Sequence, residues 1–322
     1  MIPGGPRRVV LDCDPGHDDA MAILLAAASP AIDLVAITTV AGNQTVAKTT
    51  LNARRVCSVA GIRDVPIAVG SARPLRRDPI VAAEIHGASG LDGVDWGEPT
   101  VALDPRGAVD LIIELAESDA GPLTIVAVGP LTNVATVLAR APHVAERIER
   151  VAIMGGAIGL GNWTPSAEFN IYADPEAASA VIESGVPVTL VPLEVTHQAR
   201  ATNEVIARIA ALGTPVAEMS VALMRFFAET YERVFGFDSP AVHDPCVMAA
   251  VIDPSIVRTR TMNVAIDTTS DLSLGRTVCD VYGTTGRRRN VDVGLELDAD
   301  RFWALMIEAL ATYSTAGNAV RS

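Results

Sequence analysis

Four carboxylates fall within eight residues near the start of the chain, in the run Val9-Val10-Leu11-Asp12-Cys13-Asp14-Pro15-Gly16-His17-Asp18-Asp19-Ala20. Closely spaced like charges raise one another's pKa unless a metal or an arginine neutralises them. So much negative charge in one turn calls for a cation, and carboxylate oxygens are hard ligands that suit calcium or magnesium better than zinc. Acidic residues also suit a helix N-terminus. That plainer use covers Asp18 and Asp19, which precede the apolar run Met21–Leu25, but not Asp12 and Asp14 as well.

The elements that must hold these groups follow from the flanking pattern. Val9-Val10-Leu11 reads as a central strand covered on both faces, and Pro15-Gly16 ends it with a turn. The carboxylates then sit at the carboxyl edge of a sheet, where open α/β folds bind their ligands. Asn43 follows the second expected strand and so reaches the same edge, although Gly-Asn is also an ordinary turn pair. Met154-Gly155-Gly156 follows another apolar strand, and Asn162, Trp163, Glu168, Phe169 and Asn170 come next. Amides beside a carboxylate suit a polyhydroxylated ligand, because amides donate and accept while a carboxylate takes hydroxyl protons. His243-Asp244-Pro245 precedes an apolar segment, so Asp244 is expected to cap a buried helix. His243 is left without that excuse. His86 lies in a glycine-rich stretch and could reach a ligand, with a solvated loop histidine as the plain alternative. His17, His143 and His197 have no comparable context.

Composition narrows the class. The chain has 322 residues, 49% apolar and 20% charged, which indicates a globular core. A net charge of −13 argues against nucleic acid or an anionic membrane as partner and for a small molecule. Cys13, Cys57, Cys246 and Cys279 form no CxxC pair, so neither a zinc cage nor a disulfide framework is indicated. Lys48 is the only lysine. Schiff-base chemistry and a Walker-type phosphate lysine both need one in a different context. Asp12 and Asp14 interrupt any export signal starting at Arg7-Arg8, and the other apolar runs are too short to cross a membrane. The expectation is a soluble, cytoplasmic protein.

Strand-length runs at 7–12, 34–40, 66–69, 123–128, 149–154 and 187–191 alternate with helical segments at 18–28, 45–60, 106–118, 131–140 and 174–184, the βαβ pattern of a mostly parallel sheet flanked by helices. Residues 200–252 look mainly helical. Strand-like stretches follow at 260–267, 277–282 and 290–296, then a closing helix at 299–314. No linker divides the chain, so one α/β domain over 1–322 is expected. The unpatterned stretches 70–100 and 155–170 are expected to wall the site, with 225–242 as a mobile third wall.

Taken in order, the aspartate run, the Asn43 turn, Met-Gly-Gly, Glu-Phe-Asn and His-Asp-Pro resemble the inosine-uridine nucleoside hydrolase family over nearly the whole chain. DCDPGHDDA is the specific signature, and IMGGAIGLGNWTPSAEFNIYADPEAA resembles bacterial pyrimidine-specific ribonucleoside hydrolases. The resemblance implies a Rossmann-like nucleoside hydrolase fold and calcium-dependent hydrolysis of an N-glycosidic bond, cytidine and uridine preferred, for nucleoside salvage. It also implies that Asp14, Asp19, Asp244 and the Val128 carbonyl hold calcium. Asp14 is then the general base and Asn43 orients the water. Asp18, Asn162, Glu168 and Asn170 clamp the ribose above Met154. His243, for which a near-neutral pKa would be apt, stabilises the leaving base, while His86, Phe169 and Tyr231 line the base pocket. Similar proteins are homodimers or homotetramers.

Other readings use some of the same residues. A haloacid-dehalogenase phosphatase also begins with Asp-x-Asp, but it needs a phosphate-contacting lysine and a different continuation. A sugar-binding protein with structural calcium would not need His243, and such proteins are usually exported. A broad purine and pyrimidine hydrolase, or one for nicotinamide riboside or a modified nucleoside, shares the whole pattern.

Overall fold

The computed structural model describes residues 5–313. Among them the chain runs through ten strands: β1 (Arg7–Cys13), β2 (Ile32–Thr39), β3 (Ile67–Val69), β4 (Leu123–Ala127), β5 (Ile148–Met154), β6 (Val188–Val191), β7 (Val257–Met262), β8 (Val264–Ile266), β9 (Thr277–Cys279) and β10 (Val291–Leu297). Helices α1 (His17–Ala28), α2 (Val46–Ala60), α3 (Ala83–His86), α4 (Ala108–Glu117), α5 (Thr132–Arg140) and α6 (Phe169–Ala173) fall in the first half. The others are α7 (Pro175–Glu183), α8 (Leu193–Thr196), α9 (Asn203–Ala210), α10 (Pro215–Phe235), α11 (Asp244–Ile252) and α12 (Ala299–Ala311).

Eight strands form one sheet in the order β3-β2-β1-β4-β5-β6-β10-β7. All neighbours are parallel except β10 and β7. The expected mostly parallel α/β architecture is therefore present, and the sheet takes strands from both halves of the chain. Alternate residues of one strand enter different layers. Val9, Leu11 and Cys13 join the core beneath α1, α2 and α9 to α12, whereas Val10 joins the core beneath α4, α5 and α7. Burial on both faces is why these strands read as continuous apolar runs, each fully buried Leu or Ile contributing roughly 1.5–3 kcal/mol.

The strand order reverses between β1 and β4, because β2 lies to one side of β1 and β4 to the other. Cys13 pairs with Thr39, and Asp12 with Ala127, so the ends of these strands are level. The crevice at such a reversal is where doubly wound sheets bind ligands. Asp14, Asn43 and Val128 each follow one of the three strands that meet there.

Three expectations about elements need correction. Residues 260–267 are two strands rather than one: β7 joins the large sheet, while β8 pairs with β9 in a separate hairpin. Asn290 makes the break possible, since its side chain pairs with the backbone of Val264 through 2.8 and 2.9 Å bonds. Residues 225–235 are helix, being the last turns of α10, which Gly236 ends in the left-handed conformation at φ 68°. The closing helix stops at Ala311; residue 314 of the expected span lies outside the described residues.

Candidate active site

The first turn of α1 and the loops after β1, β2 and β4 build an acidic nest. Asp19 reaches back along the turn and accepts the Asp14 N–H at 3.0 Å and the Gly16 N–H at 2.9 Å. Asp14 in turn accepts the Asn43 N–H on Oδ2 at 2.7 Å, and Asn43 Nδ2 donates to the Asp14 carbonyl at 3.1 Å and to Asp19 Oδ2 at 3.1 Å. Asp18 accepts the His243 N–H at 3.2 Å. Carboxylate oxygens of Asp18, Asp19 and Asp244 lie within 4.8 Å of one another. Of the expected Asp14, Asp19 and Asp244 group, the structure thus brings Asp19 and Asp244 together with Asp18, while Asp14 adjoins that triad through its N–H bond to Asp19.

Two glycines leave room for this nest. A Cβ on Gly42 would come 2.1 Å from Asp14 Oδ2, and one on Gly129 would come 2.5 Å from Oδ1. Asp14 Oδ1 is enclosed without a hydrogen-bond partner among the described residues. Burial, and after it the charge of neighbouring aspartates, pushes Asp14 and Asp244 well above the usual carboxylate range and Asp18 up to about 7. Burial also raises Asp19. Among the described residues no lysine or arginine lines the adjoining cavity. Buried, mutually repelling hard oxygens with one left unpartnered fit a divalent cation such as calcium.

Asp12 does not belong to the group. It points to the opposite layer, where Thr38 Oγ1 at 2.5 Å and Asn133 Nδ2 at 2.8 Å hold its Oδ1. Burial raises it to about 6. Asp244 also departs from expectation, for it is the first residue of α11 and His243 occupies the cap position without a side-chain cap bond. The Asp244 carboxylate is thereby free for the nest.

A cavity of about 320 Å³ opens above it. Asp18, Asn43, Val128 and Asp244 form part of its lining, whereas Asp14 and Asp19 are fully buried beneath. Met154, Asn162, Glu168, Phe169 and Asn170 make one wall. Glu168 caps α6, accepting N–H groups of Asn170 at 2.9 Å, Gly156 at 2.9 Å and Ile171 at 3.2 Å. Burial outweighs those bonds and lifts its pKa to about 7. Asn170 Nδ2 donates to the Val128 carbonyl at 2.8 Å and the Met154 carbonyl at 3.2 Å, tying this wall to the ends of β4 and β5. Asn162 accepts the Phe169 N–H at 2.9 Å.

The other wall is aromatic. Phe227, Tyr231, Val234 and Phe235 come from α10, and Ile85 and His86 from α3. His86 is buried, not solvated. The residues from 225 to 235 do form a wall, as helix rather than loop. His243 is held at both ring nitrogens, by Thr196 Oγ1 at 2.7 Å and by the Tyr231 hydroxyl. Burial, with His197 and Arg200 nearby, holds its pKa well below the usual histidine range. The near-neutral value expected for it is therefore not found. Burial pushes the Tyr231 hydroxyl the other way. His17, Thr196 and Phe227 escaped the sequence reading, because each meets its partner across a long stretch of chain.

An acidic nest at the carboxyl edge of a parallel sheet, under a cavity with one amide wall and one aromatic wall, defines an α/β enzyme for a polyhydroxylated ligand. Residues 9–304 match the inosine-uridine preferring nucleoside hydrolases, and the chain belongs to that family. It is thus a hydrolase acting on N-glycosyl compounds. A pyrimidine-specific ribonucleoside hydrolase RihA of Shewanella woodyi is 44% identical over 310 residues, 96% of this chain and 99% of the relative. The structure of a purine-preferring ribonucleoside hydrolase from Gardnerella vaginalis superposes with a TM-score of 0.89 at 30% identity, covering 95% of this chain and 99% of that one. A plant nucleoside hydrolase, PpNRh1, gives 0.88 at 31% identity, covering 95% and 99%.

Proposed function

We propose that the protein is a calcium-dependent ribonucleoside hydrolase that prefers cytidine and uridine, releasing free base and ribose for nucleoside salvage. The observation that carries this reading is the joining of the aspartate nest to a cavity whose far wall holds His86, Tyr231 and His243. Asp14, Asp19, Asp244 and the Val128 carbonyl would hold calcium, with Asp18 close enough to share in it. Calcium bound there supplies a Lewis acid for water and a grip on a vicinal diol.

The chain's own groups divide the remaining work. Asp14 has one oxygen engaged by Asn43 and one free of protein donors, so it is the group to accept the proton of the attacking water. Asn43 fixes that carboxylate and is positioned to orient the water. Asp18, Asn162, Glu168 and Asn170 take the ribose hydroxyls above Met154, and their negative and dipolar field favours an oxocarbenium-like transition state. The departing base collects negative charge, and Tyr231 with His243 behind its hydroxyl answers it at the opposite wall. With both ring nitrogens engaged, by Thr196 and by the Tyr231 hydroxyl, His243 reaches the base through Tyr231 rather than by a direct bond. Phe169 and Phe227 close the apolar parts of the cavity.

The preference for pyrimidines draws on the name of the Shewanella relative and on the histidine-bearing base wall. Assembly as a homodimer or homotetramer in the cytoplasm is carried by the family resemblance alone. A panel of ribonucleosides assayed side by side for reducing sugar tests the base preference. Turnover of uridine and cytidine well above inosine supports it, and comparable turnover of inosine overturns it.

A further inference from the structure

His17 stands between two of the nest aspartates in sequence, yet its side chain turns away from them. Its ring is 2% exposed and stacks against Phe226 at 5.0 Å, Phe227 at 5.3 Å and His86 at 5.3 Å between centroids. Nε2 lies 2.9 Å from the Asp92 carbonyl, and Nδ1 lies 3.1 Å from Nδ1 of His86. Gly16 permits this approach, since a Cβ there would come 2.5 Å from His86 Nδ1.

These contacts leave one consistent arrangement of protons. A carbonyl can only accept, so His17 Nε2 carries the hydrogen, and in a neutral imidazole Nδ1 is then the acceptor. Among the described residues no carboxylate oxygen is hydrogen-bonded to either ring to favour an imidazolium. His86 must therefore donate from Nδ1. The backbone N–H of His17 also approaches that atom, but at 3.5 Å, a distance at which a hydrogen bond is too weak to compete. His86 keeps a bare Nε2. Its ring lines the cavity and is 5% exposed, and Nε2 has no hydrogen-bond partner among the described residues.

We infer that His17 is a positioning residue that fixes the tautomer of His86, so that His86 Nε2 accepts a hydrogen bond from the N–H edge of the nucleobase. This rests on the nucleoside reading of the site. In uridine the only base N–H is at N3, and in cytidine the donor is the exocyclic amino group, so either pyrimidine can satisfy the same acceptor. The two histidines of the base wall then have separate roles: His86 reads a donor, and the response to the leaving group falls to Tyr231 and His243.

The test is nitrogen NMR of the full-length protein carrying ¹⁵N-labelled histidine, with His86 assigned by its loss in His86→Ala. The wild-type spectrum should show His86 protonated at Nδ1 only. His17→Asn, whose side-chain oxygen can take the place of the imidazole Nδ1, should preserve that tautomer. His17→Phe, which keeps the aromatic stacking and removes the acceptor, should let protonation move to Nε2. The KM for uridine should then rise about tenfold, the loss of one hydrogen bond of ordinary strength, with kcat changed less. A wild-type His86 protonated at Nε2, or at both nitrogens, overturns the inference, as does a tautomer shift in His17→Phe without change in KM. The wild-type spectrum decides even if a variant fails to fold. It is also independent of turnover, so absence of ribose release strikes the nucleoside reading, whereas an Nε2-protonated His86 strikes this inference.

Discussion

Asn43 holds Asp14 from two sides, its backbone N–H on the carboxylate at 2.7 Å and its side-chain amide on the backbone carbonyl at 3.1 Å. The same amide reaches Asp19. One residue of the β2 edge thereby sets the geometry of two groups from the β1 edge.

Replacing Asp14 separates function from stability. Asp14→Asn should lower kcat by about a thousandfold, within the range for loss of a general base. Without calcium it should raise the melting temperature, since a buried carboxyl that the unfolded chain ionises freely is replaced by a neutral amide. Steady-state ribose release and a thermal melt in chelator check the two halves.

Stability without calcium should fall as pH rises. Asp12, Asp18 and Glu168 have folded-state pKa values of about 6, 7 and 7, each above its unfolded value near 4. Between those limits the folded chain holds protons that the unfolded chain has released, so rising pH favours unfolding. In chelator the melting temperature should drop from pH 5 to pH 8. Added calcium should raise it more at pH 8, where the ligands are ionised, than at pH 5. Melts at both pH values, with and without calcium, measure this.

Gly129→Ala is a steric probe of the nest. Its Cβ would meet Asp14 Oδ1 at 2.5 Å and Val40 at 3.0 Å, both in enclosed surroundings. Calcium affinity should fall at least tenfold while the secondary structure survives. Calorimetric titration and circular dichroism give the two readings.

Glu168→Ala removes an acceptor shared by three N–H groups as well as the carboxylate proposed to take a ribose hydroxyl. The cap alone should cost about 1–2 kcal/mol. Activity should persist weakly, with KM raised more than after a base-wall change, as denaturant melts and kinetics on uridine will show.

Much of this was legible in the chain. The first six strands and their helices lie within a few residues of where apolar runs and turn residues put them, because two-sided burial leaves a strong pattern. That Asn43, Glu168 and Asn170 would meet at one cavity, with Asp14 beneath it, was legible because each comes after a strand end. Asp12 was not, because the strand pleat sends it to the other layer, toward Thr38 and Asn133. His17 was silent for a different reason: its partner His86 is 69 residues away, and only the packing of α3 and α10 over the nest joins them. The break at Asn263 depends on Asn290, another distant side chain.

The most direct test of the whole account is ribose release from uridine by protein stripped with a chelator and then titrated with calcium. The account predicts almost no release from the stripped protein and recovery as calcium saturates one site per chain, with no recovery in Asp14→Asn. Full activity in the stripped protein, or calcium binding without any ribose release, would contradict it.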